Sequence, residues 1–485
     1  MPYRCLSDFI EDLGHAGEFV RVEAEVDPRL EIAEITARIS RSEGPALLFA
    51  AVRGHDMPVL TNLLGSEGRI CRALGVAKLD DIAQRIAHLL HTAEPGGWLD
   101  RLRAASPGAA LGNLLPRHVK AGACQQIVRL ASDVDLAVLP LLQAAPDAAA
   151  AICAAAVYTA EPDSHQQVAG RYDLLPLGRD RLAVCWAAHD EPARLRTEYE
   201  RRGQRMPVAV VLGGDPASVL AAAAPWSPQL DTFVLAGLLR DKPLDVVPCR
   251  SVDLMVPAEA EIVLEGYVDP AEPLVEAGPL PTPLGYYGRP RQTPLLHVTA
   301  VTQRANPIYW ALLPGPPPNE AATIDAALSR IFLPLVQLTI PELVDYDLPL
   351  FGAARHWAVL SIRKSYAGQA RRVAALAWGL RPLMFAKLLV VVDAEVDVRD
   401  RCQVLRAIAD HVAPGRDLFT QQGPPDSLDP STPAGTLGHR LAIDATAKLP
   451  DEQAGPALRS AARSEATCQS VSGRWTEYGL GPEPS

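Results

Sequence analysis

Apolar positions recur at helical spacing near both ends of the chain and in strand-like runs through its middle. Ile32, Ile35 and Ile39 fall on one face and predict a helix over Arg29–Arg41, with Asp27 as N-cap and Pro28 at the first helical position. A short apolar strand follows at Pro45–Val52, and Leu79–Leu90 repeats the amphipathic helix pattern. Proline and glycine punctuate Glu94–Pro116, which predicts a linker into a second region.

The middle is strand-rich, with β-type runs at Arg181–His189, Met206–Gly213, Ile262–Val268 and Leu295–Val301. One unit, VAVVLGGDPASVLAAAAP, reads as a buried strand, a Gly213-Gly214 turn and a helix capped by Asp215 with Pro216 at its first position. Such a turn can hold an anion at the helix N-terminus, although alone it is more simply a tight strand-to-helix connection. The last third returns to alternation. Trp357–Arg363 and Leu388–Asp393 are predicted strands, and Gln369–Leu380 a helix between them. A further helix is expected over Val398–Val412, with Val398, Cys402, Leu405 and Ile408 along one face. Beyond Leu449 the chain turns polar, and Gly479–Ser485 reads as a loose tail.

Length and charge narrow the picture. A chain of 485 residues, 48% of them hydrophobic, has material for two or three cores and is neither disordered nor fibrous. Lys+Arg 46 against Asp+Glu 57 gives a net charge of -11 with no basic cluster, which argues against nucleic acid as a partner. No signal-type start and no stretch of ~18–20 strongly apolar residues is found, so a cytoplasmic protein without a membrane span is expected. The 8 cysteines include no C-x-x-C pair; only Cys185 has a histidine, His189, within four residues. They read as reduced, mostly core thiols rather than a zinc site.

Seven blocks, in order, carry a family resemblance: GPALLFAAVRGHDMPVLTNLLG (44–65), PVAVVLGGDP (207–216), VPAEAEIVLEGYV (256–268), GYYG (285–288), IRKSYAGQARRV (362–373), FAKLLVVVDAEVDVRD (385–400) and LAIDATAKLP (441–450). With them the chain resembles the UbiD family of carboxy-lyases, especially the polyprenyl-hydroxybenzoate decarboxylases. The resemblance implies an α+β multidomain fold. A central flavin-reductase-like split β-barrel (116–310) would lie between an N-terminal α/β region (1–115) and a C-terminal α/β oligomerisation domain (311–485) with a polar tail. It also implies decarboxylation of an aromatic or α,β-unsaturated carboxylic acid with prenylated FMN, supplied by a separate flavin prenyltransferase. The subunit is expected to form a homo-oligomer or a hetero-oligomer with a UbiD homologue.

Residue by residue, the resemblance implies that the family's Asn-x-Gly-x-Tyr-Arg stretch falls on Val168-Ala169-Gly170-Arg171-Tyr172-Asp173. Gly170 and Tyr172 are kept, while Val168 replaces a metal-ligand Asn and Asp173 the catalytic Arg. The His or Arg before the retained Trp186 is Cys185, and the ligand Glu falls on Thr232. Two acids of the proton-handling set fall on Ala277 and Thr282. Gln167, Arg171, Asp231 and Glu276 lie one or two residues from replaced positions, and Glu276 is the candidate relocated acid. Lys387 and Pro225 stand where the family contacts the flavin. Valine offers no ligand atom, threonine a neutral hydroxyl and cysteine a soft sulfur, so no divalent metal site is expected. Two readings follow: a UbiD-type decarboxylase with rearranged acid–base groups, or a catalytically degenerate paralogue partnering an active homologue. Considered individually, Asp173 reads as a surface turn residue, Cys185 as a core residue and His189 as a structural histidine.

Overall fold

The computed structural model describes residues 3–91, 114–224, 231–352, 355–426, 428–429, 431–432, 436–452 and 464–479. The predicted linker lies outside them except for Leu114–Pro116, and the predicted tail except for Gly479. The N-terminal sheet runs in the order Phe19–Val26, Ala46–Val52, Val59–Thr61, Tyr309–Trp310, so its last strand returns from far along the chain. Helices Leu6–His15, Glu67–Leu74 and Leu79–His91 bury Leu6, Phe9, Leu13, Ile70 and Ile82 in one core with Leu48 and Leu60 of that sheet. The first predicted helix is shorter than expected, covering Glu31–Arg41. Asp27 is not its cap. The Asp27 side chain accepts from the Arg29 amide at 2.8 Å and closes a turn, and Leu30 (φ 68°) occupies the cap position without a side-chain hydrogen bond.

The centre is a closed six-stranded antiparallel barrel in the order Ile262–Val268, Met206–Leu212, Ile152–Ala160, Gln167–Pro176, Arg181–Val184, Leu295–Gln303, closed by pairing of the first and last. Alternate residues of Met206–Leu212 serve different cores. Val208, Val210 and Leu212 join one cluster, Ala209 and Val211 the other, which explains its unbroken apolar run. At the closing seam the register shifts between Glu265 and Gly266. A Cβ on Gly266 would fall 1.9 Å from the His297 carbonyl oxygen, so only glycine lets the strands meet there.

Asp215 caps helix Pro216–Ala223 through the Ala217 amide (2.9 Å), as the sequence predicts. Its carboxylate is also paired with Arg240, and Glu261 packs over Gly213. The turn is filled by protein and is an ordinary connection. The strand expected over Arg181–His189 stops at Val184: one more in-register bond runs from the Cys185 amide to the Asp173 carbonyl (2.9 Å), and the Trp186 amide then folds back onto the Val184 carbonyl (2.9 Å). An unforeseen helix, Glu191–Arg202, follows it.

The C-terminal sheet has the order Leu343–Asp347, Trp357–Ile362, Leu388–Asp393, Gly438–Asp444, Leu418–Gly423, its three middle strands parallel. Helix Gln369–Gly379 packs Val373, Ala374 and Ala377 on one face, and helix Arg401–His411 packs Val404 and Ala407 on the other. Parallel strands covered on both sides read as continuous apolar runs, as LLVVV does. The later helix begins at Arg401 rather than Val398, capped by Asp400, and its inward face is not the expected one: Leu405 is 59% exposed. Among the described residues no single helix is long and apolar enough to cross a membrane. The bent pair Glu320–Ile331 and Leu333–Thr339 buries Ile324, Leu328, Ile331 and Leu335 in the protein core.

Candidate active site

Two cavities lie between the barrel and the C-terminal region. The first, of about 230 Å³, is walled by Val168–Tyr172 of the barrel, Ala221–Ala224, Thr232 and the segment from Arg381 to Phe385. The second, of about 140 Å³, is walled by Cys153, Asp173, Cys185, Ala277, Thr282 and Arg291. Arg171, Asp325 and Arg355 line both, so the cavities adjoin. Together they reach the lower end of the ~300–1,000 Å³ usual for small-molecule sites.

One barrel strand supplies both walls. On Gln167–Pro176 alternate side chains point to opposite faces, so Gly170 and Tyr172 share one and Arg171 and Asp173 the other. A Cβ on Gly170 would fall 2.5 Å from the Tyr172 hydroxyl and 2.6 Å from its ring, so the glycine makes room for the tyrosine to lie back along the strand. Trp186 stands edge-on behind that ring at 6.4 Å and belongs to the barrel core, not to either cavity wall. Burial raises the Tyr172 phenol, which stays neutral.

The cations of the first cavity are held by acids. Arg171 pairs with Asp325, Arg355 with Asp426 at 3.2 Å, and Arg381 with Asp190 at 3.8 Å. Burial alone would raise Asp426, but Arg355 and His356 (3.1 Å) overcome it and bring the carboxyl to about 2. His189 stands edge-on to Phe385 at 4.9 Å, and burial lowers its pKa against the pull of Asp190 and Asp426. It is a neutral imidazole near pH 7. One donor is left over: Nη1 of Arg171 is buried and has no hydrogen-bond partner among the described residues.

The second cavity is built around Asp173, which is a strand residue and not the surface turn residue the sequence suggested. Strand Ile152–Ala160 shifts register between Ile152 and Ala155, and Ala154 takes φ 51° in the bulge. Its amide donates to Asp173 at 2.8 Å. Burial raises the Asp173 carboxyl, offset in part by this hydrogen bond and by Arg291, Arg171 and Arg355. Burial also raises Cys153 and lifts Cys185 to about 12, so neither thiol is a thiolate nucleophile at neutral pH. The expectation of mostly core thiols holds for Cys5, Cys71 and Cys124, whereas Cys402 and Cys468 are exposed.

The expected site residues are only partly brought together. Gly170 and Tyr172 line the first cavity. Lys387 lies outside both walls, its ammonium on Asp429 (2.9 Å) and Ser431 (2.6 Å). Glu276 is exposed on the hairpin of Val275–Ala277 with Arg291–Thr293 and lines neither cavity. Pro225 lies outside the described residues. Gln167 is committed to the Met255 backbone (2.7 and 2.9 Å), and Asp231 caps helix Thr232–Arg240 through the Phe233 amide (2.7 Å). Arg355, Asp325, Arg381 and Arg291 were missed; they come from four separate segments and carry no local motif.

The donors do not fit a phosphate-bridging divalent cation. Val168 and Thr232 face the first cavity with methyl groups and a neutral hydroxyl. Among the described residues no group of three or more His, Cys, Asp and Glu side chains is placed to hold a metal ion. The site does fit an anionic cofactor, since the unpartnered Arg171 donor can take a phosphate or carboxylate oxygen.

A closed six-stranded barrel within a multidomain α+β chain is the fold of the UbiD-class decarboxylases. The structure is similar to closed-form vanillic acid decarboxylase of Sedimentibacter hydroxybenzoicus, with a TM-score of 0.86 and 26% identity over 99% of this chain and 100% of that one. It is also similar to the UbiD-class enzyme HmfF of Pelotomaculum thermopropionicum in complex with FMN (TM-score 0.76, 28% identity, 94% and 97% covered). An evolved dimeric form of that enzyme in complex with prFMN gives TM-score 0.76 and 27% identity, with 94% and 97% covered. The chain belongs to the 3-octaprenyl-4-hydroxybenzoate carboxy-lyase (UbiD) family. Residues 10–86, 117–317 and 322–445 match its N-terminal, Rift-related and C-terminal domains in turn. An uncharacterized protein of Aquifex aeolicus (strain VF5) is 39% identical over 453 residues, 93% of each chain.

Proposed function

We propose that the chain binds prenylated FMN in the first cavity and removes CO₂ from an aromatic or α,β-unsaturated carboxylic acid held in the second. The observation that carries this reading is the adjoining pair of cavities, with an unpartnered Arg171 donor at their junction and a half-buried Asp173, its carboxyl pKa raised, beyond it. When bound, the modified flavin supplies the electron sink that decarboxylation needs. The protein's part is to position the phosphate through Arg171, to hold the ring against Tyr172, and to manage charge and protons around the acid. No divalent metal enters the proposal, because Val168 and Thr232 offer it no anionic ligand. A separate flavin prenyltransferase would provide the cofactor, and assembly as a homo-oligomer or with a homologous chain belongs to the same proposal.

A second reading, a flavin-binding chain without turnover, is favoured by one observation. Ala277 and Thr282 present no acid to the second cavity, and the Thr282 hydroxyl donates to the Tyr286 carbonyl (2.9 Å). Both readings are separated by purifying the chain from cells co-expressing a flavin prenyltransferase, recording the absorbance spectrum, and measuring CO₂ release from a panel of aromatic and acrylic acids. Flavin with CO₂ release supports the enzyme, and flavin alone the degenerate subunit. A colourless protein overturns both.

A further inference from the structure

We propose that Asp173 delivers the proton to the substrate carbon and that Arg291 receives the substrate carboxylate in the second cavity. The proposal deepens the decarboxylase reading and rests on it for the proton step, while the carboxylate site stands on its own geometry. Both residues line this cavity. Of its two wall carboxyls, Asp325 is engaged by Arg171, whereas among the described residues the Asp173 side chain accepts only from the Ala154 amide. One Asp173 oxygen therefore remains for a ligand. Of the wall guanidiniums, Arg171 and Arg355 are paired with Asp325 and Asp426, and Arg289 is exposed. Arg291 is half-buried and has no ion-pair or hydrogen-bond partner among the described residues.

The groups facing Asp173 come from every packed element. They are Arg171 on its own strand, Arg291 on the hairpin, Arg355 before strand Trp357–Ile362, Asp325 on helix Glu320–Ile331, and the thiols Cys153 and Cys185. Burial outweighs the three arginines and raises the carboxyl above its ordinary range, and a substrate carboxylate placed beside it raises it further. A neutral carboxyl can sit beside a substrate carboxylate without repulsion, which an ionised one cannot. In the step proposed, the bond between carbon and carboxylate breaks and CO₂ leaves. The electron pair stays with the substrate, the Asp173 proton forms the new C–H bond, and the Asp173 carboxylate then takes a proton from water.

Asp173 also has a structural task, capping the Ala154 bulge, and Asp173→Asn separates the two. The amide oxygen still accepts from Ala154, but no acidic proton remains. The chain co-expressed with a flavin prenyltransferase is tested with benzoate as probe by calorimetry between about pH 5 and 9. The expected result is that benzoate binding takes up a proton above the Asp173 pKa, its affinity falling about tenfold per pH unit there. Asp173→Asn removes that slope and any CO₂ release while keeping flavin content and melting temperature. Arg291→Gln weakens benzoate about tenfold or more with flavin content unchanged. Wild-type protein that fails to bind benzoate, an unchanged pH slope or CO₂ release in Asp173→Asn, or undiminished binding in Arg291→Gln overturns the proposal. Loss of flavin from the wild type instead overturns the decarboxylase reading, and the benzoate measurements still decide the carboxylate site.

Discussion

The two cavities share three side chains yet differ in how charge is kept. In the first, each arginine faces an acid: Arg171 with Asp325, Arg355 with Asp426, Arg381 with Asp190. In the second, Arg291 has no such partner among the described residues, and burial raises the Asp173 carboxyl. Paired arginines are fixed in place and recognise by directed hydrogen bonds, whereas an unpaired one recognises by net charge. One cavity is thus shaped to hold a large group in register, and the other to attract a small anion.

The strongest test of this division is steric. Gly170→Val puts carbon into the Tyr172 ring, and overpacking of this kind costs ~1–3 kcal/mol. Flavin retention should be lost, while benzoate binding at Arg291 persists. Absorbance and calorimetry check the two separately, and joint loss would show that the cavities form one inseparable site. Next comes Arg171→Met, which should weaken flavin about tenfold and cost ~1 kcal/mol of stability, since Asp325 is 34% exposed and solvent screens the stranded charge. Adding Asp325→Leu should restore the urea midpoint but not the flavin; recovery of both would make the pair merely structural.

A smaller effect is read through pH. The folded state holds the Asp173 proton more tightly than the unfolded chain, whose carboxyl titrates near ~3.9. That contribution is complete below the unfolded value and fades as pH rises toward the raised folded one. Urea titrations should show wild type losing stability over this window relative to Asp173→Asn; parallel curves would mean that the carboxyl is not perturbed. Smallest of all, Glu276→Gln should change stability by less than ~0.5 kcal/mol and leave flavin and benzoate binding intact, as its exposed place on the hairpin implies. A large loss of turnover would bring that hairpin back into the chemistry.

Sequence patterning located most elements because their apolar runs are long. LLVVV and VAVVL are buried on both faces, and Asp215-Pro216 starts a helix as its chemistry dictates. It failed where a local signal competed with a tertiary one. Asp27 has the right side chain for a cap but spends it on the Arg29 turn, and Leu405 lies at helical spacing yet faces solvent. Asp173 looked like a turn residue because a lone aspartate after Tyr172 carries no sign of the bulge opposite it. The arginines of the cavities were illegible for a similar reason. Arg291, Arg355 and Arg381 acquire meaning only when the hairpin and the C-terminal region are folded against the barrel.

The closed barrel has a consequence for how the chain is made. Strands Ile152–Ala160, Gln167–Pro176 and Arg181–Val184 emerge from the ribosome together, but their circle is completed only by Ile262–Val268 and Leu295–Gln303. At synthesis rates of ~5–20 residues per second, the early strands wait on the order of ten seconds with open edges. During that interval the nascent chain is a ready template for wrong strand pairing. Chaperone demand should therefore peak before residue 303 is translated, and a ribosome stalled between Gly266 and Leu295 should carry a protease-sensitive, aggregation-prone half-barrel.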